Sequence, residues 1–186
     1  KRITNDPLKL NPYNPNNILI RNDDLLSIFQ ICELNNIPIY DLQIYQNAFV
    51  HKSYITSIVN GENVSIVQNK DSCIELQPES NERLEFLGDS VIDLAVVSYI
   101  YKRFYDADEG FMTKLKTRLV KTNTLAMCSK YLGFEKYLII SKHVEEKCNG
   151  RTNNRILEDL FESFIGAMFK DLNNQSSVEK NRFDLF

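Results

Sequence analysis

The sequence predicts an all-α protein. Apolar residues recur at helical spacing in six segments, and no series of segments alternates polar and apolar residues as strands do. The longest helical segment, residues 81–105, contains no Gly or Pro after Gly88 and is apolar on nearly every side from Val91 to Ile100. A helix that is apolar all round is typical of a protein interior, so we expect this one to be central and buried.

The first half of the chain predicts two helices between irregular segments. Residues 1–22 are polar and rich in Asn and Pro, which predicts an extended arm. Asp23 or Asp24 can then cap a first helix that ends at about residues 35–36. A second apolar-periodic segment covers about residues 41–54.

The second half contains the longest helical segments. Residues 55–80 lose all periodicity and predict a long surface insertion. Ser80 or Asn81 then provides an N-cap for the central helix, which should run to about Tyr105. The remaining predicted elements are helices at about 111–121, 123–132 and 154–170, an irregular stretch at 133–153, and a C-terminal tail at 173–186.

Composition excludes several classes of protein. The chain carries 22 Lys and Arg against 25 Asp and Glu, and this net charge of −3 is not typical of a simple phosphate-binding protein. No apolar run approaches ~18 residues and no secretory leader is visible, so we expect neither a membrane span nor export. The four cysteines are far apart, which argues against zinc and a disulfide framework. We expect an intracellular protein, in the cytoplasm or alternatively the nucleus.

Four carboxylates share one stripe of the central helix. At about 100° per residue, Glu85 lies about 300°, Asp89 about 340° and Asp93 about 20° from Glu82. Like charges three and four residues apart destabilise a helix, and partial burial increases the cost. Arg83 alone cannot neutralise all of them, so the stripe requires another source of positive charge.

The last predicted helix repeats this pattern. Asp159 and Glu162 are three residues apart, and Gly166 lies on the same face beside an apolar one. A glycine inside a helix costs about 1 kcal/mol, and close approach of a second helix would explain it. Two helices that cross there would bring two pairs of carboxylates together.

A cluster of carboxylate oxygens is the ligand set that Mg²⁺ and Mn²⁺ prefer. Two such ions about 4 Å apart can stabilise the attacking and leaving oxygens of phosphodiester hydrolysis. The alternative is that these acids lie on solvated faces and form surface ion pairs. A calcium loop is excluded, because no twelve-residue acidic loop with a central Gly is present.

Two long segments resemble the ribonuclease III family. Residues 81–92, NERLEFLGDSVI, resemble the family signature, and residues 156–167, ILEDLFESFIGA, resemble its second catalytic helix. Shorter segments resemble further parts of the family in the same order, at residues 48–54, 108–113 and 119–126.

The resemblance covers roughly residues 23–172, and it is to the endonuclease domain, without a double-stranded-RNA-binding domain. It implies an all-α homodimer that cuts double-stranded RNA with Mg²⁺, two ions per site, or with Mn²⁺ in its place. It implies no membrane partner and no small-molecule cofactor. The products would carry 5′-phosphate and 3′-hydroxyl ends with two-nucleotide 3′ overhangs. The alternative is a catalytically inactive, dimeric module of the same fold that only binds duplex RNA.

The resemblance also assigns residues. Phe86 matches the aromatic residue that enters the partner subunit, although an ordinary core position is the alternative. Asp93 matches no catalytic position, and we interpret it as a helix-packing or hydrogen-bonding acid. Glu82 and Glu109 match accessory acids of the cleavage valley, with an ion pair to a nearby base as the alternative. The matched metal-binding and catalytic carboxylates are Glu85, Asp89, Asp159 and Glu162.

One predicted helix carries a basic face. Lys114, Arg118 and Lys121 fall on the same side of the segment 111–121, opposite its apolar residues. Such a face without aromatic residues suits contact with phosphates, which fits recognition of duplex RNA. A solvated amphipathic face is the alternative. Lys52 and Arg155 are weaker candidates for RNA contact.

Overall fold

Helices dominate the computed structural model, which describes residues 11–59, 62–64 and 72–174. The all-α prediction is confirmed, with one addition: strands β1 (Ser57–Val59) and β2 (Glu62–Val64) form an antiparallel hairpin. Strands of three residues are too short for an alternating pattern to be detected. The α-helices are α1 (Asn22–Ile31), α2 (Leu42–Ala48), α3 (Glu82–Arg103), α4 (Glu109–Leu119), α5 (Thr122–Tyr131), α6 (Lys142–Cys148) and α7 (Asn154–Asn174).

Capping side chains and backbone contacts fix where the helices begin. Asp108 accepts a hydrogen bond from the Phe111 N–H at 2.7 Å at the start of α4. Asn81 precedes α3 but does not cap it through its side chain. Its backbone N–H instead donates to the Val50 carbonyl at 2.8 Å, and its amide donates to the Ala48 carbonyl at 3.3 Å. The start of α3 is therefore tied to the end of α2.

Helix α7 lies at the centre of the main core. Phe164 on α7 contacts the rings of Phe29, Tyr45, Phe49 and Phe134, with its centroid 4.7 Å from that of Phe134. Aromatic pairs of this kind each contribute about 0.5–1.5 kcal/mol beyond their buried area. This cluster holds α7 against α2 and the turn that follows α5, and it leaves the opposite side of α7 for α3.

Helix α3 is not buried on every side, so that expectation is wrong. Leu84, Gly88, Ile92 and Ile100 are its buried residues, and they face α7 or the rest of the core. An apolar stripe points outward, and it consists of Phe86, Leu94, Val97 and Tyr101. Periodicity alone cannot distinguish an apolar face that is buried within one chain from one that is exposed on it.

Residues 11–20 pack against the segment before α6. The buried side chains of Asn14 and Asn17 donate to the Ile140 carbonyl at 3.1 and 3.0 Å. Arg151 donates to the Asn17 side chain at 3.1 Å and also to the Leu138 carbonyl at 2.8 Å. The asparagines that made this segment polar thus satisfy buried backbone groups. Residues 1–10 of the arm lie outside the described part of the chain.

The described ends of the segment 55–80 are attached to the core. Tyr54 is fully buried, and its hydroxyl donates to the Ile74 carbonyl at 2.6 Å. Backbone hydrogen bonds join Thr56 to Gln77 at 2.8 Å and Gln77 to Tyr54 at 3.0 Å. Residues 60–61 and 65–71 lie outside the described ranges. Among the described helices, none has the length and apolar character needed to cross a bilayer.

Candidate metal centre

Helices α3 and α7 cross with their backbones in contact. A Cβ atom on Gly88 would overlap the Glu162 carbonyl oxygen and lie 2.9 Å from the Gly166 nitrogen. A Cβ atom on Gly166 would overlap the Leu84 carbonyl oxygen. Only glycine permits this separation, so the predicted close approach of two helices at Gly166 is confirmed. The crossing places the acidic faces of both helices side by side.

Three of the four predicted metal-binding carboxylates meet at this crossing. Glu85 on α3 and Asp159 and Glu162 on α7 each offer one oxygen, and these oxygens lie within 4.8 Å of one another. We call these three residues the carboxylate cluster. Asp89 lines the same groove but lies outside the cluster. One turn of α3 separates it from Glu85.

Burial and mutual repulsion raise the pKa of every carboxyl group in the cluster. Desolvation, followed by the charge of Asp89 and of the other acids nearby, raises the pKa of Glu162 to about 8. Burial, and then neighbouring carboxylates, also raise the pKa values of Glu85 and Asp159. Like charges this close oppose ionisation unless a cation joins them. Hard oxygen donors with this unrelieved repulsion fit a divalent cation such as Mg²⁺.

The cluster forms one wall of an open groove of about 620 Å³. Glu82, a predicted accessory acid, lies in this groove and pairs with Lys52 at 2.9 Å. Glu109, the second predicted accessory acid, does not line the groove. Its side chain accepts a hydrogen bond from the Thr113 hydroxyl at 2.7 Å. The residues that line the groove are Lys52, Glu82, Glu85, Phe86, Asp89, Arg155, Glu158, Asp159 and Glu162.

Two further acids of α3 and α7, Asp93 and Glu158, lie outside the carboxylate cluster. Asp93 pairs with Lys116 at 2.6 Å, which confirms its interpretation as a hydrogen-bonding acid. Sequence reasoning missed Glu158, which lines the groove and raises the pKa values of Asp159 and Glu162. Its position next to Asp159 in the sequence was the available signal, but a helix turns adjacent residues about 100° apart.

The residues predicted for RNA and partner contact are exposed. Lys114, Arg118 and Lys121 are all exposed on or just after α4, and their role in RNA contact stays a prediction. Phe86 is 80% exposed and lines the groove, so the alternative of an ordinary core position is wrong for the single chain.

The fold and the site define a class of protein: a helical domain whose carboxylate groove suits divalent cations. A family model described as Ribonuclease-III-like matches residues 41–182, and this chain belongs to that family. The probable ribonuclease 3 of Acanthamoeba polyphaga mimivirus is 32% identical over 169 residues, which are 90% of this chain and 31% of that protein. Ribonuclease 3 of Enterococcus faecalis is 35% identical over 142 residues, 76% of this chain and 55% of that protein.

Solved structures give the same result. The ribonuclease III nuclease domain of Campylobacter jejuni matches with a TM-score of 0.60 and 27% identity over 81% of this chain and 88% of that one. That protein is described as flexible in a region involved in dimer formation. A second structure of the same domain matches with a TM-score of 0.59 and 26% identity, over 90% of this chain and 100% of that one. The chain spans about half the length, or less, of the curated relatives it matches.

Proposed function

We propose that this chain is the nuclease domain of an endoribonuclease that hydrolyses phosphodiester bonds in double-stranded RNA. The observation that carries the proposal is the carboxylate cluster, whose three oxygens lie within 4.8 Å of one another in an open groove. Relatives that match most of this chain are named ribonuclease 3, and similarity at this level supports the same reaction.

Glu85, Asp159 and Glu162 would hold Mg²⁺, and Asp89 would complete the ligand set from the same groove. We propose two ions per site, with Mn²⁺ able to replace them. When bound, these cations polarise a phosphate oxygen and lower the pKa of water. Glu162 must first release its proton, because a carboxylate binds a cation in its ionised form. The proton and the cation therefore compete for Glu162, and affinity for the cation should rise with pH.

The exposed cations on and just after α4 provide a surface for the RNA backbone. Lys114, Arg118 and Lys121 are exposed, whereas the apolar residues opposite them are partly buried. Duplex RNA is recognised mainly through its shape and its phosphate and 2′-hydroxyl groups. Three cations without interleaved aromatic residues are suited to phosphate contact rather than to base stacking.

The apolar stripe of α3 supports a homodimer. Its members, Phe86, Leu94, Val97 and Tyr101, fall within about 80° of one another around the helix and are all exposed. Large apolar side chains that are exposed on one face of a helix mark an interaction site. Phe86 would enter the partner subunit beside the groove. Two sites in one dimer would cut both strands and leave two-nucleotide 3′ overhangs with 5′-phosphate and 3′-hydroxyl ends.

A cleavage assay tests the proposal. The protein is incubated with a long RNA duplex in Mg²⁺, and duplex binding is measured separately in Ca²⁺. We expect cleavage by the wild type and by Glu146→Gln, a control on the exposed face of α6, but none by Glu162→Gln. Cleavage that survives Glu162→Gln would contradict the site. Binding in Ca²⁺ without cleavage in Mg²⁺ would instead identify an inactive binding module.

A further inference from the structure

Two cations share the groove with six carboxylates. Lys52 and Arg155 line it together with the carboxylate cluster and three further acids. RNA is a polyanion, so its backbone meets strong repulsion on entering a groove of this composition. Lys52 pairs with Glu82 at 2.9 Å, one turn of α3 before Glu85 of the cluster, and lines the same groove. Lys52 is therefore placed to attract a phosphate beside the cluster.

The backbone at Lys52 is firmly anchored. His51, the preceding residue, donates its N–H to the Ile139 carbonyl at 2.9 Å, and Tyr54 donates its N–H back to the His51 carbonyl at 2.9 Å. The buried Tyr54 ring and its hydroxyl bond to Ile74 hold the other side of this turn. The Cα atom of Lys52 thus has a fixed position at the edge of the groove.

The ammonium group, in contrast, is held weakly. Lys52 pairs with Glu82 at 2.9 Å, but the two side chains are 63% and 53% exposed. Exposed ion pairs contribute little to stability, because water and salt screen them. Ser80 also donates to Glu82 at 3.2 Å, so this carboxylate keeps a partner when the lysine leaves. Lys52 can therefore leave Glu82 and bind another anion with little loss of free energy.

We propose that Lys52 binds a backbone phosphate of the RNA in the groove, leaving Glu82 when the duplex arrives. This inference rests on the proposed function. The competing account is that Lys52 only fixes the position of Glu82. The two accounts differ in a measurable way: a lysine that binds phosphate contributes a salt-dependent contact of its own, and a lysine that positions Glu82 acts only through that residue.

Duplex RNA binding in Ca²⁺ over a range of salt concentrations, with cleavage in Mg²⁺, distinguishes these accounts. We expect Lys52→Gln to weaken binding about 3- to 10-fold and to reduce the slope of log affinity against log salt by about 1. The loss should appear mainly in KM, and Lys52→Arg should restore most of it. Glu82→Gln should bind as well as the wild type or better. Lys147→Gln, an exposed lysine of α6, is the matched control.

Several results would overturn the inference. One is a salt slope for Lys52→Gln equal to that of the wild type. Another is equal loss in Lys52→Gln, Glu82→Gln and the double variant, which would show that the lysine only positions the glutamate. If the wild type neither binds nor cuts duplex RNA, the proposed function itself fails and the inference falls with it. Wild-type cleavage with unchanged Lys52→Gln binding overturns the inference alone.

Discussion

Replacing Gly88 with Ala should disturb the crossing of α3 and α7 and the carboxylate cluster together. The new methyl group would overlap the Glu162 carbonyl oxygen and lie 2.6 Å from the carbon of that carbonyl. Ordinary contact begins at about 3.4 Å and the overlapping carbonyl oxygen is the closest atom, so the helices must separate by more than about 1 Å. Glu162 moves directly, because its own backbone is the group in contact.

The magnitude follows from two opposing effects. Overpacking of this kind costs about 1–3 kcal/mol, and contact with backbone rather than a flexible side chain favours the upper part of that range. Alanine is about 1 kcal/mol more favourable than glycine inside a helix, which offsets part of this destabilisation. We therefore expect Gly88→Ala to lower the free energy of unfolding by about 2 kcal/mol. A shift of about 1 Å among metal-binding groups should reduce cleavage about 100-fold.

Urea unfolding and Mg²⁺-dependent cleavage measure the two effects on the same preparation. Gly110→Ala is the matched control, because a Cβ there meets no backbone atom of another element and only the Asp108 side-chain oxygen, at 3.3 Å. That variant should retain both the stability and the activity of the wild type. If Gly88→Ala is as stable and as active as Gly110→Ala, the two helices do not approach as closely as the structure indicates.

Three further predictions concern protons, a buried acid and the apolar stripe. The pKa of Glu162 is raised to about 8 from an ordinary 4.5, so metal-free protein keeps a proton that the unfolded chain loses. The free energy of unfolding of the metal-free protein should therefore fall as pH rises from about 5 to 8, and its affinity for Mg²⁺ should rise. Urea unfolding measures the first and calorimetry the second. If both quantities depend on pH in Glu162→Gln as they do in the wild type, Glu162 is not the group that titrates. Asp171 is fully buried and accepts the backbone N–H groups of residues 40–41 at 3.0 and 2.9 Å. Asp171→Ala should lower the free energy of unfolding, measured in urea, by about 2–4 kcal/mol, and Asp171→Asn should lower it less. Equal losses in the two variants would argue against these hydrogen bonds. Val97→Glu should sediment as a monomer. Leu26 is an exposed apolar residue of α1, outside the stripe, so Leu26→Glu should remain a dimer. If Val97→Glu also sediments as a dimer, the stripe is not the interface.

The cluster was predictable because local geometry determines it. Asp159 and Glu162 are one turn apart on one helix, and the helical period alone puts them on a common face. The cost of Gly166 inside that helix predicted the crossing that brings Glu85 to them. Each of these steps uses spacing of a few residues, which is the range over which a sequence pattern is informative.

The partners of the side chains could not be predicted, because they depend on distant parts of the chain. Glu82 pairs with Lys52, which lies 30 residues earlier. The outward stripe of α3 has the same composition as a buried face, so periodicity could not separate an exposed surface from the core. Helix α6 has seven residues, too few to establish a helical period within the irregular stretch.

The central position of α7 has a consequence for synthesis of the chain. Glu85 and Glu162 are separated by 77 residues, which a ribosome adds in about 4 to 15 s at 5–20 residues per second. During that interval α3 lacks the helix against which it packs, so the nascent chain exposes apolar surface that chaperones bind and that promotes aggregation. The carboxylate cluster is also incomplete until α7 emerges, so the proposed cleavage of RNA cannot begin before α7 has been made.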